Sequence, residues 1–129
     1  MKSYASFFVL SGHRNLRGRA GHTATLVGKH IYILGGRNGN EFFNDLWVFD
    51  TEIEQWDLLQ AKVPFSPRAY HSCTLVNENE LWVIGGSDPK MMHSDVHVFN
   101  TGSLKVFFMH FLLYKNTCVI PVGMLYMVF

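Results

Sequence analysis

The chain has 129 residues, and its 11 Lys and Arg nearly cancel its 10 Asp and Glu, leaving a net charge of +1. That balance gives no electrostatic footprint for nucleic acid or an acidic membrane surface, so neither is expected as a partner. Cys73 and Cys118 are too few for a disulfide framework and lack zinc-type spacing. Isolated thiols of this kind fit a reducing compartment, the cytoplasm first and the nucleus second. At the N-terminus, Lys2 precedes an apolar run of only Ala5 to Leu10. This is shorter than the roughly 7–15 residues of a secretory core, so the segment reads as mature protein.

From Arg19 onward the chain reads as short strands separated by turn residues. His22 to Val27 alternates Thr23, Thr25 and Val27 with Ala24 and Leu26, the period-two pattern of a strand with unlike faces. Val27-Gly28-Lys29-His30 supplies a tight turn, and Ile31 to Leu34 is an unbroken apolar run suited to a strand covered on both faces. Gly35-Gly36 ends that strand where a side chain would collide or positive φ is needed. Leu46 to Phe49 gives a third strand and Trp56 to Leu59 a fourth.

The pattern then starts again. Arg19-Ala20-Gly21-His22 returns as Arg68-Ala69-Tyr70-His71, and Ile31-Tyr32-Ile33-Leu34-Gly35-Gly36 as Leu81-Trp82-Val83-Ile84-Gly85-Gly86. Asn44-Asp45-Leu46-Trp47-Val48-Phe49-Asp50-Thr51 returns as Ser94-Asp95-Val96-His97-Val98-Phe99-Asn100-Thr101. The spacing is 49 to 50 residues, with the extra residue in the hairpin around Asn77 to Glu80. Short apolar runs and a Gly-Gly pair at a period near 50 are those of a β-propeller blade.

With Arg-x-x-His before the first strand and Asn-Asp-Leu-Trp in the third, the pattern resembles the kelch repeat over about residues 4 to 101. The resemblance implies an all-β fold of four-stranded antiparallel blades around a central channel, with loops on the two faces used for binding. It implies little about chemistry. Phe7 stands as far before Arg19 as Trp56 does before Arg68, so residues 4 to 10 are expected to be a stray fourth strand. The expected division is residues 1–18 for that strand and a linker, 19–67 for unit one, 68–103 for an incomplete three-stranded unit two, and 104–129 for a non-kelch tail. Two units are too few for a closed ring of about four to eight blades. A partial propeller with an incomplete ring follows, in a truncated form or fragment of a longer kelch protein.

The repeat is expected to stop after Thr101. Val106 stands where Trp56 should return, and Leu104 to Phe129 carries only Lys105 and Lys115 as charges. Val106 to Leu113 could replace the missing fourth strand. Residues 106–129 are long enough for a membrane anchor of about 20 residues, the less favoured alternative. Against it, Lys115 in mid-span costs roughly 2.5–3.5 kcal/mol, and Pro121 and Gly123 weaken a helix. An open strand edge, two uncovered blade faces and this tail all point to self-association.

Candidate chemistry is sparse. His93-x-Asp95-x-His97 would put three metal-capable side chains on one face of a strand. Asp95 repeats Asp45, however, and His97 replaces Trp47 at a packing position, so a structural role is expected and no metal site is assigned. A kelch subgroup that redirects glucosinolate breakdown holds iron with Glu-x-x-x-Asp-x-x-x-His, but Glu41-x-x-x-Asp45 is followed here by Phe49. Arg19, His22, Arg68 and His71 recur at equal places in both units, as structural groups do, and are expected to staple blade edges and satisfy loop carbonyls. Cys73 replaces Ala24 inside a strand and reads as a small buried group. No nucleophile elbow, phosphate loop or carboxylate pair is present, so no catalytic residue and no cofactor are assigned.

The candidate binding residues follow each Gly-Gly: Arg37, Asn38, Ser87 and Asp88. The leading functional expectation is a non-enzymatic protein-interaction scaffold or adaptor with a protein partner. The alternatives are a fragment of a galactose-oxidase-like propeller enzyme, whose Tyr–Cys and His constellation is not recognisable here, and a truncated product without molecular function.

Overall fold

The computed structural model describes residues 16–60, 62–109, 112–114 and 117–119, with side chains through Val106. The first unit contains β1 (Thr23–Val27), β2 (His30–Leu34), a small hairpin of β3 (Arg37–Asn38) and β4 (Glu41–Phe42), then β5 (Leu46–Asp50) and β6 (Gln55–Gln60). The second contains β7 (Ser72–Val76), β8 (Glu80–Ile84), β9 (Val96–Asn100) and β10 (Lys105–Met109), and a short pair follows, β11 (Leu112–Tyr114) with β12 (Thr117–Val119). The described residues contain no helix.

Each unit is a four-stranded antiparallel sheet, β1-β2-β5-β6 and β7-β8-β9-β10 in spatial order. They are the two blades of a partial propeller. β1 and β7, the first strands of the two blades, are in contact with each other. Registers match through the repeat: Thr25 faces Tyr32 and Thr74 faces Trp82, while Ile33 faces Trp47 and Val83 faces His97. β6 carries an irregularity opposite Leu46 and Trp47, which brings Leu59 round to the face packed on the core.

Between the blades lies one apolar core. Tyr32, Leu34 and Leu46 of blade one meet Leu81, Val83 and Phe99 of blade two, and Val63 and Phe65 of the connecting segment close the cluster. Two hydrogen bonds from Asn44 Nδ2, to the Val63 and Phe65 carbonyls, hold that segment in place. On the far side of blade two, Trp82, Val96 and Val98 form a smaller buried cluster.

The structure corrects the sequence reading at the end of the second unit. The sheet does not stop at three strands, because Lys105–Met109 pairs with Val96–Asn100 in full register. The boundary expected between residues 103 and 104 falls inside the turn Thr101–Leu104. That turn copies the one between β5 and β6. Asp50 Oδ1 accepts the Glu52 and Ile53 amides, Asn100 Oδ1 accepts those of Gly102 and Ser103, and Glu54 and Leu104 each take a left-handed φ of 55° and 57°. An Asx turn needs a short carbonyl side chain at its first position and little else. Hence Thr51-Glu52-Ile53-Glu54 and Thr101-Gly102-Ser103-Leu104 fold alike. The expected replacement strand over Val106 to Leu113 is realised as far as Met109, whereas Leu112 belongs to a separate hairpin. No helix among the described residues is long and apolar enough to cross a membrane. The expected stray strand at residues 4 to 10 lies outside the described residues.

Candidate protein-binding face

The loops that follow the two Gly-Gly pairs sit on one face, and a repeated polar clasp fixes them there. Arg19 donates two bonds to the Asp45 carboxylate, at 2.5 and 2.9 Å, and one to the Gly35 carbonyl at 2.8 Å. Arg68 donates to Asp95 at 2.5 and 3.0 Å and to the Gly85 carbonyl at 2.9 Å. Both guanidinium groups are almost wholly buried, with side-chain exposures of 3% and 1%. The planar fork satisfies a carboxylate and a carbonyl together, which a lysine cannot reproduce. Arg68 and His97 beside Asp95 hold its carboxyl well below the usual range, against the opposing effect of burial.

Trp47 Nε1 donates to Asp45 Oδ2 at 2.7 Å, and His97 Nε2 lies 2.9 Å from Asp95 Oδ2. The Trp-to-His replacement therefore keeps the donor while changing the ring. His97 also stacks on Phe65 with ring centroids 4.5 Å apart. The expectation that Arg19 and Arg68 satisfy loop carbonyls agrees with this geometry. Their aspartate partners were not anticipated, although Asp45 and Asp95 recur with the arginines.

The glycine pairs are fixed by conformation and space. Gly36 and Gly86 have φ of 95° and 94°, and a Cβ at either would lie 2.9 Å from the Cβ of His22 or His71 respectively. Close backbone approach is what allows the Arg68 carbonyl to accept the Gly36 amide at 2.9 Å while the Arg68 amide donates to the Phe43 carbonyl at 3.1 Å. Arg68 thus joins blade one to blade two through its backbone as well as serving its own clasp.

His71 is buried at the seam, with Nε2 2.9 Å from Thr23 Oγ1. Its Nδ1 makes no hydrogen bond of good geometry, and the nearby Leu34 backbone opposes the pKa shift only weakly. Burial first, then Arg68 and His22, lowers its pKa to about 4. His22, its repeat mate, is exposed, and its pKa is lowered less far, by partial burial and by Arg19. His71 is therefore an edge staple as expected, and neutral.

Of the four candidate binding residues, Arg37 and Asn38 form β3, where Arg37 exchanges two backbone bonds with Ala20 and Asn38 Nδ2 donates to the Gly18 carbonyl at 2.8 Å. The Arg37 guanidinium lies over Phe42 at 5.7 Å. Ser87 exchanges backbone bonds with Ala69, and Asp88 caps its own loop by accepting the Lys90 and Met91 amides and pairing with His93 at 2.9 Å. The four are not brought into one pocket. Instead, the two loops flank an open groove of about 250 Å³ lined by Asn40, Phe42, Pro67, Asp88, Pro89 and Lys90. Asp88 alone belongs to both sets. In the same loop, Met91 and Met92 are 57% and 84% exposed.

The three metal-capable side chains His93, Asp95 and His97 have separate duties. His93 serves Asp88 and Ser66, whereas Asp95 and His97 belong to the Arg68 clasp. Ser66, His93 and Asp88 do not form a catalytic relay, because both oxygens approach the same ring nitrogen, at 3.3 and 2.9 Å. Cys73 packs against the interblade core, and burial pushes its thiol up, so it is no poised nucleophile.

Comparison with known proteins agrees with this architecture. The family model of the KLHDC2/KLHL20/DRC7 Kelch-repeats domain matches residues 8–107, which includes part of β10. A "tRNA wybutosine-synthesizing protein 2/3/4" from Oryza sativa subsp. japonica is 34% identical over 89 residues, covering 67% of this chain and 8% of that protein. "Rho GTPase-activating protein gacHH" from Dictyostelium discoideum is 33% identical over 85 residues, covering 63% and 6%. "Kelch repeat-containing protein 2" from Saccharomyces cerevisiae is 29% identical over 99 residues, covering 69% and 11%. The chain spans a tenth or so of the length of these relatives, or less. With its paired glycines, its Arg–Asp clasps and a match over most of its length, the chain belongs to the kelch-repeat family.

Proposed function

We propose that this chain is a non-enzymatic protein-interaction module that receives a segment of another protein across the groove between its two post-glycine loops. The observation that carries the reading is the convergence of Asn40 and Phe42 from blade one with Asp88, Pro89 and Lys90 from blade two on one open groove. An apolar floor with a few polar and charged groups at its edge suits a peptide better than a small polar substrate. The reading is supported by the fate of the reactive side chains. Arg19, Arg68, Asp45 and Asp95 neutralise one another inside the blades. Kelch domains serve generally as protein-interaction scaffolds. The relatives carry dissimilar names, yet share this stretch over a small part of their length, which fits a recognition element more readily than a shared catalytic one.

The test is affinity capture by the full chain compared with Phe42→Ala/Lys90→Glu, followed by quantitative mass spectrometry and measurement of one recovered partner by titration. Loss of that partner with an unchanged unfolding midpoint is expected. Equal recovery by both proteins would place recognition elsewhere.

A further inference from the structure

Ser66 stands where the Arg68 clasp and the wall of the groove meet. Its Oγ accepts a hydrogen bond from Arg68 Nη2 at 3.0 Å and lies 3.3 Å from His93 Nε2. The same His93 nitrogen is 2.9 Å from Asp88 Oδ2, and Asp88 and Pro67 both line the groove. The clasp itself does not need this hydroxyl. Blade one carries Arg17 at the matching place, and in both blades the clasp arginine donates through Nε to the backbone carbonyl there, at 3.2 Å. The Arg17 side chain is exposed and pairs with Glu41. The Ser66 hydroxyl is therefore an addition of blade two, and what it adds is a link from the connecting segment to the groove.

Its surroundings suit modification. Ser66 is partly exposed, in a segment outside the strands, between the exposed Pro64 and Pro67. Of the chain's four prolines, Pro67 is the one that follows a serine or threonine. Proline-directed protein kinases select that dipeptide, because their substrate cleft leaves the next amide N–H without an acceptor and proline has none to satisfy. In the transfer, Ser66 Oγ bonds to the γ-phosphorus of a nucleoside triphosphate held by the kinase. The bond from that phosphorus to its bridging oxygen breaks, the nucleoside diphosphate leaves, and the hydroxyl proton passes to the kinase's base.

A phosphate brings about −1.5 to −2 charges and three strong acceptor oxygens. On Ser66 it would stand between two carboxylates, Asp95 on the Arg68 side and Asp88 on the His93 side. The two hold their partners unequally. Arg68 has a side chain 1% exposed and gives Asp95 two bonds, so the clasp keeps its acid. His93 makes one contact with Asp88, whose other oxygen is taken by the Lys90 and Met91 amides. The single contact yields first, and like-charge repulsion then moves Asp88 from the position in which it lines the groove.

We propose that Ser66 is the acceptor site of a proline-directed protein kinase, and that its phosphate draws His93 from Asp88, loosens the groove wall and weakens the hold on a protein partner. The last of these effects rests on the function proposed above; the modification and the change in the loop do not.

The test incubates the full chain with a purified mitogen-activated protein kinase and magnesium ATP, and maps the product by mass spectrometry. One phosphoryl group on Ser66 is expected, with a several-fold slower reaction in Pro67→Ala. An unmodified Ser66 when a standard substrate is fully phosphorylated, or an equal rate in Pro67→Ala, would overturn the assignment. In NMR spectra of the phosphorylated chain, shifts of the His93 imidazole and of the Lys90 and Met91 amides should exceed those at Arg19 and Asp45 several-fold. The loop shifts should shrink in His93→Gln. Undisturbed loop amides, or equal shifts in both blades, would overturn the coupling. A partner captured through the groove should bind the phosphorylated chain several-fold more weakly, and equal affinity would overturn the regulatory effect. Absence of any groove-dependent partner would count against the proposed function alone, because the first two readouts decide the modification and the loop.

Discussion

Blade one closes its clasp with Trp47 and blade two with His97, on the same aspartate oxygen. Blade one turns from β5 to β6 through Thr51-Glu52-Ile53-Glu54, and blade two from β9 to β10 through Thr101-Gly102-Ser103-Leu104, with matching amide bonds to Asp50 and Asn100. The blades have diverged wherever one donor or one short carbonyl side chain suffices. They have stayed identical where a forked cation must meet a carboxylate and a carbonyl together, and where the backbone must pass another chain without a Cβ. The repeat therefore preserves geometry, and it preserves sequence only where few residues can supply that geometry.

The largest loss is expected from Arg68→Ala. Removing the cation leaves Asp95 partly buried without its main partner, a loss of about 3–5 kcal/mol. Arg19→Ala should cost less, because Arg68 also binds the Ser66 hydroxyl and carbonyl and Arg19 has only the Arg17 carbonyl in that place. Urea unfolding of both variants gives the order, and a larger loss for Arg19→Ala would contradict it. Arg68→Lys should recover only part of the loss, since the ammonium cannot hold both acceptors in the fork geometry.

Next in size are Gly36→Val and Gly86→Val. Each should lower stability by more than about 1 kcal/mol, through a strained positive φ and a Cβ forced against its neighbours. Near-equal losses would show that the two glycine sites are interchangeable, and an unshifted midpoint for either would show that its site can relax.

Acid should then separate the blades. His71 is neutral in the fold with a pKa of about 4, while in the unfolded chain it titrates near 6.5. The unfolded state therefore binds more protons between those values, and stability falls as pH drops through that window, by about 1.4 kcal/mol per pH unit at most. The contribution is fully present above pH 6.5. His71→Gln should flatten this part of the stability profile. His22→Gln should change it less, because His22 is exposed and less perturbed than His71.

The smallest effect belongs to the copied turns. Glu54→Gly and Leu104→Gly each remove a left-handed non-glycine residue but loosen the unfolded chain, leaving a net change of under about 1 kcal/mol. Effects of opposite sign in the two turns would show that the shared backbone conceals unlike strain.

The blades, their strand order and the stapling role of the arginines were legible in the sequence, because period-two alternation and the glycine pairs report on backbone and burial directly. The fourth strand of blade two was legible only as a replacement over Val106 to Leu113, not as a continuation of the repeat. Strand pairing at a sheet edge uses backbone groups, so Lys105–Met109 can pair without the Trp that marks β6. Asn100, standing where Asp50 stands, was the available signal that the turn continued. The β3–β4 hairpin was likewise announced by Asn38-Gly39-Asn40. The groove had no sequence signal of its own, since it arises where two loops from different blades come together. That is also why residue position relative to Gly-Gly located Asp88 but not Phe42, Pro67 or Lys90.

The double backbone tie at Arg68 has a consequence for how the molecule opens. With the Gly36 amide donating to the Arg68 carbonyl and the Arg68 amide donating to the Phe43 carbonyl, the loop of one blade cannot fluctuate away without releasing the start of the next. Amide hydrogen exchange at Gly36 and Arg68 should then proceed at a common slow rate, set by separation of the blades rather than by local fraying. A segment docking in the groove would meet walls that are already in place, and its binding rate would carry no delay from loop rearrangement.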